Sequence, residues 1–211
     1  MNSKKIRFYF DFLSPYSYLA WTWLRDQHYD FEFIPVSIPS IVASFETKGP
    51  AQIEPKRNYL FKDLLRKTKL QKIPFTLPKE LPFNALYSLR LALHSSSGSD
   101  QKKLIDAIFR AGWEFGLDIG NDDILKKVLT ENGLKTEDLF LKMESKEARI
   151  ELKKNIEKAL SSGVFGVPTF EVDDELFWGH DSIDYLLMYL NGKDPLDHKL
   201  YQQFTEKFTP R

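Results

Sequence analysis

The 211 residues carry thirty basic and thirty acidic side chains, so the chain has no net field to draw in a polyanion, and nucleic acid is not an expected partner. A hydrophobic content of 42%, with 17 Phe, 9 Tyr and 4 Trp, is enough for a substantial core and argues against disorder. There is no cysteine, which excludes a disulfide, a thiolate-held metal and dithiol redox chemistry by the chain itself.

The apolar runs are shorter than the roughly 20 residues needed to cross a bilayer, and Met1–Lys5 leads directly into a strand pattern. No signal peptide, no membrane span and a cytoplasmic location are therefore expected. The four histidines, His28, His94, His180 and His198, have no ligand spacing, so no metal site is expected either.

Along the chain, Lys5–Asp11 alternates Ile6, Phe8 and Phe10 with Arg7, Tyr9 and Asp11, the period of a strand. Ser14-Pro15 supplies a helix cap followed by proline at the first helical position, and Tyr18, Leu19, Trp23 and Leu24 continue a helix to about Gln27. Phe31–Val36 reads as a second strand, so the opening is a βαβ unit with a parallel pair. Helical signals then follow over Lys56–Lys69, Asn84–His94, Gln101–Phe115, Asp122–Thr130 and Ser145–Ser161, separated by breaks bearing Pro and Gly. The Ser95–Ser99 run reads as a polar loop. In Gln101–Phe115 a broad apolar face of Leu104, Ile105, Ile108 and Phe109 reads as core, with Trp113 able to contribute to a pocket. Thr169–Val172 and Leu176–Trp178 flank Asp173-Asp174 as a hairpin, a helix spans Asp181–Asn191, and Asp194–Arg211 forms a tail helix with Leu200, Tyr201 and Phe204 on one side.

The order βαβ, helical block, ββα predicts an α/β fold with a mixed four-stranded sheet. It divides as 1–40 plus 163–211 for the sheet-bearing domain and 41–162 for an all-helical insertion.

Ser14 lies where a strand ends and a helix begins, so its hydroxyl and the unpaired first-turn N–H groups converge on a point suited to an anion. A thiolate would be favoured there, with Ser14 as hydrogen-bond donor and not as nucleophile; the plainer alternative is a helix cap. No His or Asp follows at a spacing that suggests a hydrolase triad. Val167-Pro168 before a strand suits a turn or a cis bond. Asp181-Ser182 opens a helix, Lys56 lies on a charged one, and Asn84 fits an N-cap.

Phe8-Tyr9-Phe10-Asp11-Phe12-Leu13-Ser14-Pro15-Tyr16-Ser17-Tyr18 resembles the opening motif of the 2-hydroxychromene-2-carboxylate isomerases and kappa-class glutathione transferases. Gly163-Val164-Phe165-Gly166-Val167-Pro168-Thr169-Phe170 and Phe177-Trp178-Gly179-His180-Asp181 resemble the second signature of that family. The resemblance covers nearly the whole chain and implies a thioredoxin-like fold, glutathione as cofactor and a homodimer. It implies that Ser14 activates the glutathione sulfur and that cis Pro168 exposes the Val167 backbone to the cysteinyl residue. It further implies that Asp181 and Ser182 hold the γ-glutamyl end and that Lys56 meets a carboxylate. Asn84 would open a helix on the cleft, and Phe12, Tyr16 and Trp178 would wall an aromatic or electrophilic substrate. One departure stands out: many relatives have a Gly-Asn-X-Pro-Pro turn where this chain has Lys48-Gly49-Pro50-Ala51.

The expected function is therefore glutathione-dependent isomerisation of 2-hydroxychromene-2-carboxylate, or a related aromatic catabolite, to trans-o-hydroxybenzylidenepyruvate. A kappa-like transferase or peroxidase is the alternative enzyme. A non-catalytic, cysteine-less thioredoxin-like binding protein is the alternative of another class.

Overall fold

The structure is a computed structural model that describes residues 4–208. Its sheet is built from β1 (Ile6–Phe10), β2 (Phe31–Pro35), β3 (Thr169–Val172) and β4 (Glu175–Trp178) in the order β2-β1-β3-β4. β1 and β2 are parallel, with Ile6 opposite Phe31 and Phe10 opposite Pro35. β1 and β3 are antiparallel, as are β3 and β4. The mixed sheet read from the sequence is the one that forms. Asp173 and Asp174 both have positive φ, 50° and 68°, the conformation of a tight two-residue hairpin turn.

Helix α1 (Pro15–Leu24) starts at the Ser14 cap, and α2 (Ile38–Ser44) starts at Ser37, whose hydroxyl accepts from Ser40 N–H. Then come α3 (Glu54–Gln71), α4 (Leu86–Leu91), a short α5 (His94–Ser97) and α6 (Gln101–Phe109), which continues as a wider π-turn over Arg110–Glu114. Helices α7 (Asp122–Glu131), α8 (Thr136–Met143) and α9 (Lys146–Ser161) complete the block, and α10 (Ile183–Leu190) and α11 (His198–Phe208) close the chain. Three expectations change. Residues 38–44 and 136–143 are helical. His94–Ser97 is a helical turn followed by a 3-10 turn, not a polar loop, because Ser96 and Ser97 are buried and the Ser97 hydroxyl bonds back to Leu93 O. Of the expected tail helix, residues 209–211 lie outside the described ones. The residue-40 boundary read from the sequence falls inside α2.

Alternation along β1 places Ile6, Phe8 and Phe10 in one core with α1, α6, Phe170 and Leu186, while Tyr9 joins Ile34, Val36, Ile41 and Ala159 on the other face. Helices thus cover both faces, and β1 is buried on both. The abundant aromatics explain themselves here: Phe8 stacks on Phe10 at 5.4 Å, Phe10 meets Phe12 edge-on at 5.4 Å, and Phe12 reaches Phe109 at 4.7 Å. Burying each such ring is worth about 1.5–3 kcal/mol, with about 0.5–1.5 more per well-oriented pair.

The buried carboxylate of the sheet is matched. Glu171 on β3, 2% exposed, accepts from Arg7 Nη1 at 2.7 Å, Tyr9 OH at 2.6 Å and Ser162 Oγ at 3.3 Å. On the outer strand β2, Gln101 Nε2 donates to Phe33 O at 3.1 Å and Asn155 Nδ2 to Pro35 O at 3.2 Å. Pro35 has no N–H to offer.

Candidate active site

The turn from β1 into α1 is held from several sides. Ser14 N–H donates to Asp11 O at 3.1 Å, Asp11 Oδ1 accepts from Leu13 N–H at 2.9 Å, and Trp113 Nε1 donates to Phe12 O at 2.8 Å. Ser14 is in the extended conformation of a cap residue, and its Oγ accepts from Ser17 N–H at 3.1 Å. That bond uses the oxygen and leaves the hydroxyl proton. The proton has only Val167 O to point at, 3.5 Å away, the outer limit for such a bond. Pro15 lacks an N–H, so the first-turn amide left facing outward is that of Tyr16. A hydroxyl proton and a helix N-terminus therefore face the same place, which favours an anion.

Opposite lies the Val167–Pro168 peptide, which is cis. Thr169 Oγ1 anchors the loop by donating to Gly166 O at 2.8 Å, and Gly179 N–H anchors the other side by donating to Pro168 O at 2.9 Å. The exposed Trp178 indole packs on Phe165 at 4.9 Å and lies over Gly166, where a Cβ would fall 2.7 Å from its Nε1. Gly179 has φ +95°, and a Cβ there would meet Asp181 Oδ1 at 2.5 Å. The glycine lets the Asp181 carboxylate fold back along the chain.

Residues 180–182 form a 3-10 turn ahead of α10, so Asp181 is not the first residue of an unbroken helix as expected. The Ser182 hydroxyl donates to Gly179 O at 2.8 Å. The Asp181 side chain is 75% exposed, with Lys67 Nζ at 4.0 Å. Lys67 also pairs with Asp63 at 2.9 Å and lies 5.1 Å above the Tyr16 ring, while Tyr16 OH donates to Asp63 Oδ2 at 2.7 Å. Partial burial would push the Asp63 carboxyl up, but the hydrogen bonds from Lys67 and Tyr16 outweigh it and hold it below its ordinary value. Burial and the Asp63 hydrogen bond push the Tyr16 phenol up. His180 contacts Gln71 Oε1 through Nε2 at 3.2 Å, while its Nδ1 is buried without a partner. Burial, then Lys67, lowers its pKa and favours the neutral ring.

Ser14, Val167 and Pro168 thus come together, and Tyr16, Asp181 and Ser182 line the adjoining corner around Lys67. Phe12 does not wall a pocket: it is 0% exposed in the aromatic core, where two rings, Phe10 and Phe109, hold it. Trp113 is likewise fully buried and serves the loop through its indole N–H. Asn84 is exposed and does not cap α4, whose cap position is Ala85; its Oδ1 accepts from Leu86 N–H at 3.0 Å, and its backbone lies against Gly120. Lys56 is exposed on the first turn of α3. The lysine that reaches the corner is Lys67, about 16 Å further along the helix axis at 1.5 Å per residue. Sequence reasoning passed over Asp63, Lys67 and Gln71, although their i, i+4, i+8 spacing marks one polar line down α3.

A separate recess of about 630 Å³ is lined by Trp21, Arg25, Asp106, Arg110 and Glu114 among others. It contains none of the residues above, and ion pairs already satisfy Arg25 with Asp106 and Arg110 with Glu114.

A parallel βαβ unit, an antiparallel hairpin, a cis-proline loop facing the first helix and a long helical insertion define a thioredoxin-like fold of the DsbA type. The family model for the DsbA-like thioredoxin domain matches residues 5–191, and the chain belongs to that family, in the group holding the 2-hydroxychromene-2-carboxylate isomerases and kappa glutathione transferases. It is 32% identical to the 2-hydroxychromene-2-carboxylate isomerase of Sphingobium xenophagum over 89% of this chain and 98% of that protein. It is 26% identical to glutathione S-transferase kappa 2 of Caenorhabditis elegans, over 92% and 89%. A solved 2-hydroxychromene-2-carboxylate isomerase superposes with a TM-score of 0.80 at 23% identity, covering 97% of this chain and all of the other. Among the described residues no helix is long and apolar enough to cross a membrane.

Proposed function

We propose that this protein is a glutathione-dependent isomerase acting on 2-hydroxychromene-2-carboxylate or a related aromatic catabolite, with glutathione as cofactor and Ser14 as the donor that holds its thiolate. One observation carries the reading: Ser14 Oγ is occupied as an acceptor by Ser17 N–H, and its proton points across to the Val167 carbonyl at the limit of bonding distance. A sulfur entering between them takes that proton as a hydrogen bond. The chain has no cysteine, so the thiol must come from outside.

In this reading glutathione pairs its cysteinyl backbone with Val167 beside Pro168. Its γ-glutamyl ammonium meets Asp181, and Ser182 and the turn N–H groups meet the carboxylate. Lys56 lies at the far end of α3 for a carboxylate of glutathione or substrate, and Tyr16, Trp178 and Asn84 border the space for the substrate ring. The thiolate adds to an unsaturated carbon of the ring-opened substrate, the electron pair of that double bond moves onto the acyl oxygen as an enolate, rotation about the resulting single bond follows, and collapse of the enolate expels the thiolate and restores the double bond. Ser14 contributes by keeping the sulfur anionic and aimed. The two domains, 1–40 with 163–211 and 41–162, meet at this cleft. A homodimer in the cytoplasm completes the proposal.

The test is turnover of 2-hydroxychromene-2-carboxylate, followed by absorbance, with and without glutathione, beside conjugation of an aryl halide. Isomerisation that requires glutathione without consuming it supports the reading. Conjugate accumulation with no isomerisation assigns the chain to the transferase alternative. Isomerisation indifferent to glutathione refutes the Ser14 mechanism.

A further inference from the structure

Asp11 is the one acid of the described chain that is buried without an ion pair: it is 1% exposed, and no charged side chain on any surrounding element contributes to its electrostatics. Its two oxygens are both used, and by different elements. Oδ1 accepts from Leu13 N–H at 2.9 Å, inside the turn that ends at Ser14. Oδ2 accepts from Ile38 N–H at 2.8 Å, the first residue of α2 on the far side of β2. Its own carbonyl takes Ser14 N–H at 3.1 Å. Nothing in the proposed chemistry uses this side chain, and a buried carboxylate without a cation is costly to keep.

We propose that Asp11 is the positioning residue of Ser14, its carboxylate clamping the β1–α1 turn to the start of α2 so that the Ser14 hydroxyl proton is aimed at the incoming thiol. The inference rests on reading Ser14 as the partner of the thiol. The clamp needs two acceptor oxygens, which only the ionised side chain offers. A protonated carboxyl turns one oxygen into a donor that faces an N–H, and one of the two bonds is lost. Burial, opposed by the two N–H bonds, pushes the Asp11 carboxyl up to about 6, so the clamp opens on mild acidification. Asparagine cannot replace it, since its NH2 also faces an N–H.

Two measurements test the clamp. In the chain without glutathione, the backbone amide resonances of Leu13 and Ile38 are followed from pH 4.5 to 8. They should shift together with one midpoint near pH 6, and that inflection should be missing in Asp11→Asn. Amides that titrate separately, or not at all, overturn the proposal, and the wild-type titration decides this even if the variant fails to fold.

In the second, thiolate absorbance of bound glutathione is titrated in both proteins. A mispositioned Ser14 raises the pKa of the bound thiol, and the thiolate fraction at pH 7 should fall about tenfold in Asp11→Asn, one unit of pKa. Simple removal of a nearby negative charge would lower that pKa instead, and this outcome overturns the positioning role. Should glutathione give no thiolate band with either protein, it is the reading of Ser14 that fails. Asp11's hold on the turn is then decided by the two amides alone.

Discussion

Substituting Ser14 separates two roles that share one oxygen. Ser14→Ala removes the bond to Ser17 N–H and leaves the cap position to a residue that cannot replace it, a loss of about 1 kcal/mol. Ser14→Gly loses the same bond but costs only about a few tenths of a kcal/mol, because glycine is tolerated at a cap. Both variants lose the hydroxyl proton now pointing at Val167 O. A hydrogen bond to a charged acceptor is worth about 1.5–3 kcal/mol, or about one to two units in the pKa of the bound thiol. At neutral pH the thiolate fraction, and with it isomerase turnover, should fall about ten- to a hundredfold in both. Thermal melts should differ, with Ala about 1–3 °C below Gly, because the caps differ by about 0.7 kcal/mol. Equal activity loss with unequal stability is the expected result, read from thiolate absorbance, turnover and melting together. Wild-type turnover in either variant refutes the assignment of the thiolate to Ser14.

Asp11 also sets a pH dependence of stability. Its folded pKa, about 6 against 3.8, means that the native state holds a proton the unfolded chain releases, so its contribution is complete below pH 3.8 and lost as pH rises through 6. Urea melts should show wild type losing about 2.4 kcal/mol more than Asp11→Asn between pH 4 and pH 7. Replacing Glu171 by Leu strands Arg7 and Tyr9 and should cost about 3 kcal/mol in urea melts, the low end for a broken buried pair because Arg7 keeps Glu32 at 3.5 Å. Trp113→Phe leaves Phe12 O unpaired in the core and should cost about 1–3 kcal/mol by the same measurement. Asp174→Gly relieves a φ of +68° and should raise stability by about 0.5–1 kcal/mol, seen as a higher melting temperature.

Much of this fold is legible because local signals and tertiary demands agree. β1 alternates and is flanked by aromatics, Ser14-Pro15 announces a helix start, and Asp173-Asp174 forms the turn its neighbours require. The two missed helices carried signals of the same kind. Ser37 with Pro39 repeats the cap-and-proline logic, and Thr136, Leu139, Phe140 and Met143 are buried at helical spacing. Both segments are short, so their periodicity spans barely two turns. The serines at 95–97 read as loop on polarity alone, whereas Ser96 and Ser97 are buried in a helical turn. In the site, Ser14, Val167 and Pro168 could be found because each sits at a break between elements. Lys67 could not be chosen over Lys56 from composition, because both are lysines on one charged helix. What separates them is the crossing of α3 past α1, a long-range contact with no local trace. Phe12 was misplaced for the opposite reason: it adjoins Ser14 in sequence, yet the turn after β1 directs it into the aromatic core.

The outer strand β2 is short, ends in a proline, and has the carbonyls of Phe33 and Pro35 engaged by amide side chains from α6 and α9. An exposed strand edge is a template on which another chain can extend the sheet, the first step of ladder-type aggregation. Here two carbonyls of that template are already taken within the molecule and Pro35 offers no N–H, even though Phe31 and Phe33 make it an apolar one. Extension of the sheet on the β2 side is therefore hindered at these two carbonyls and at Pro35, which leaves β4 as the sheet's other outer strand.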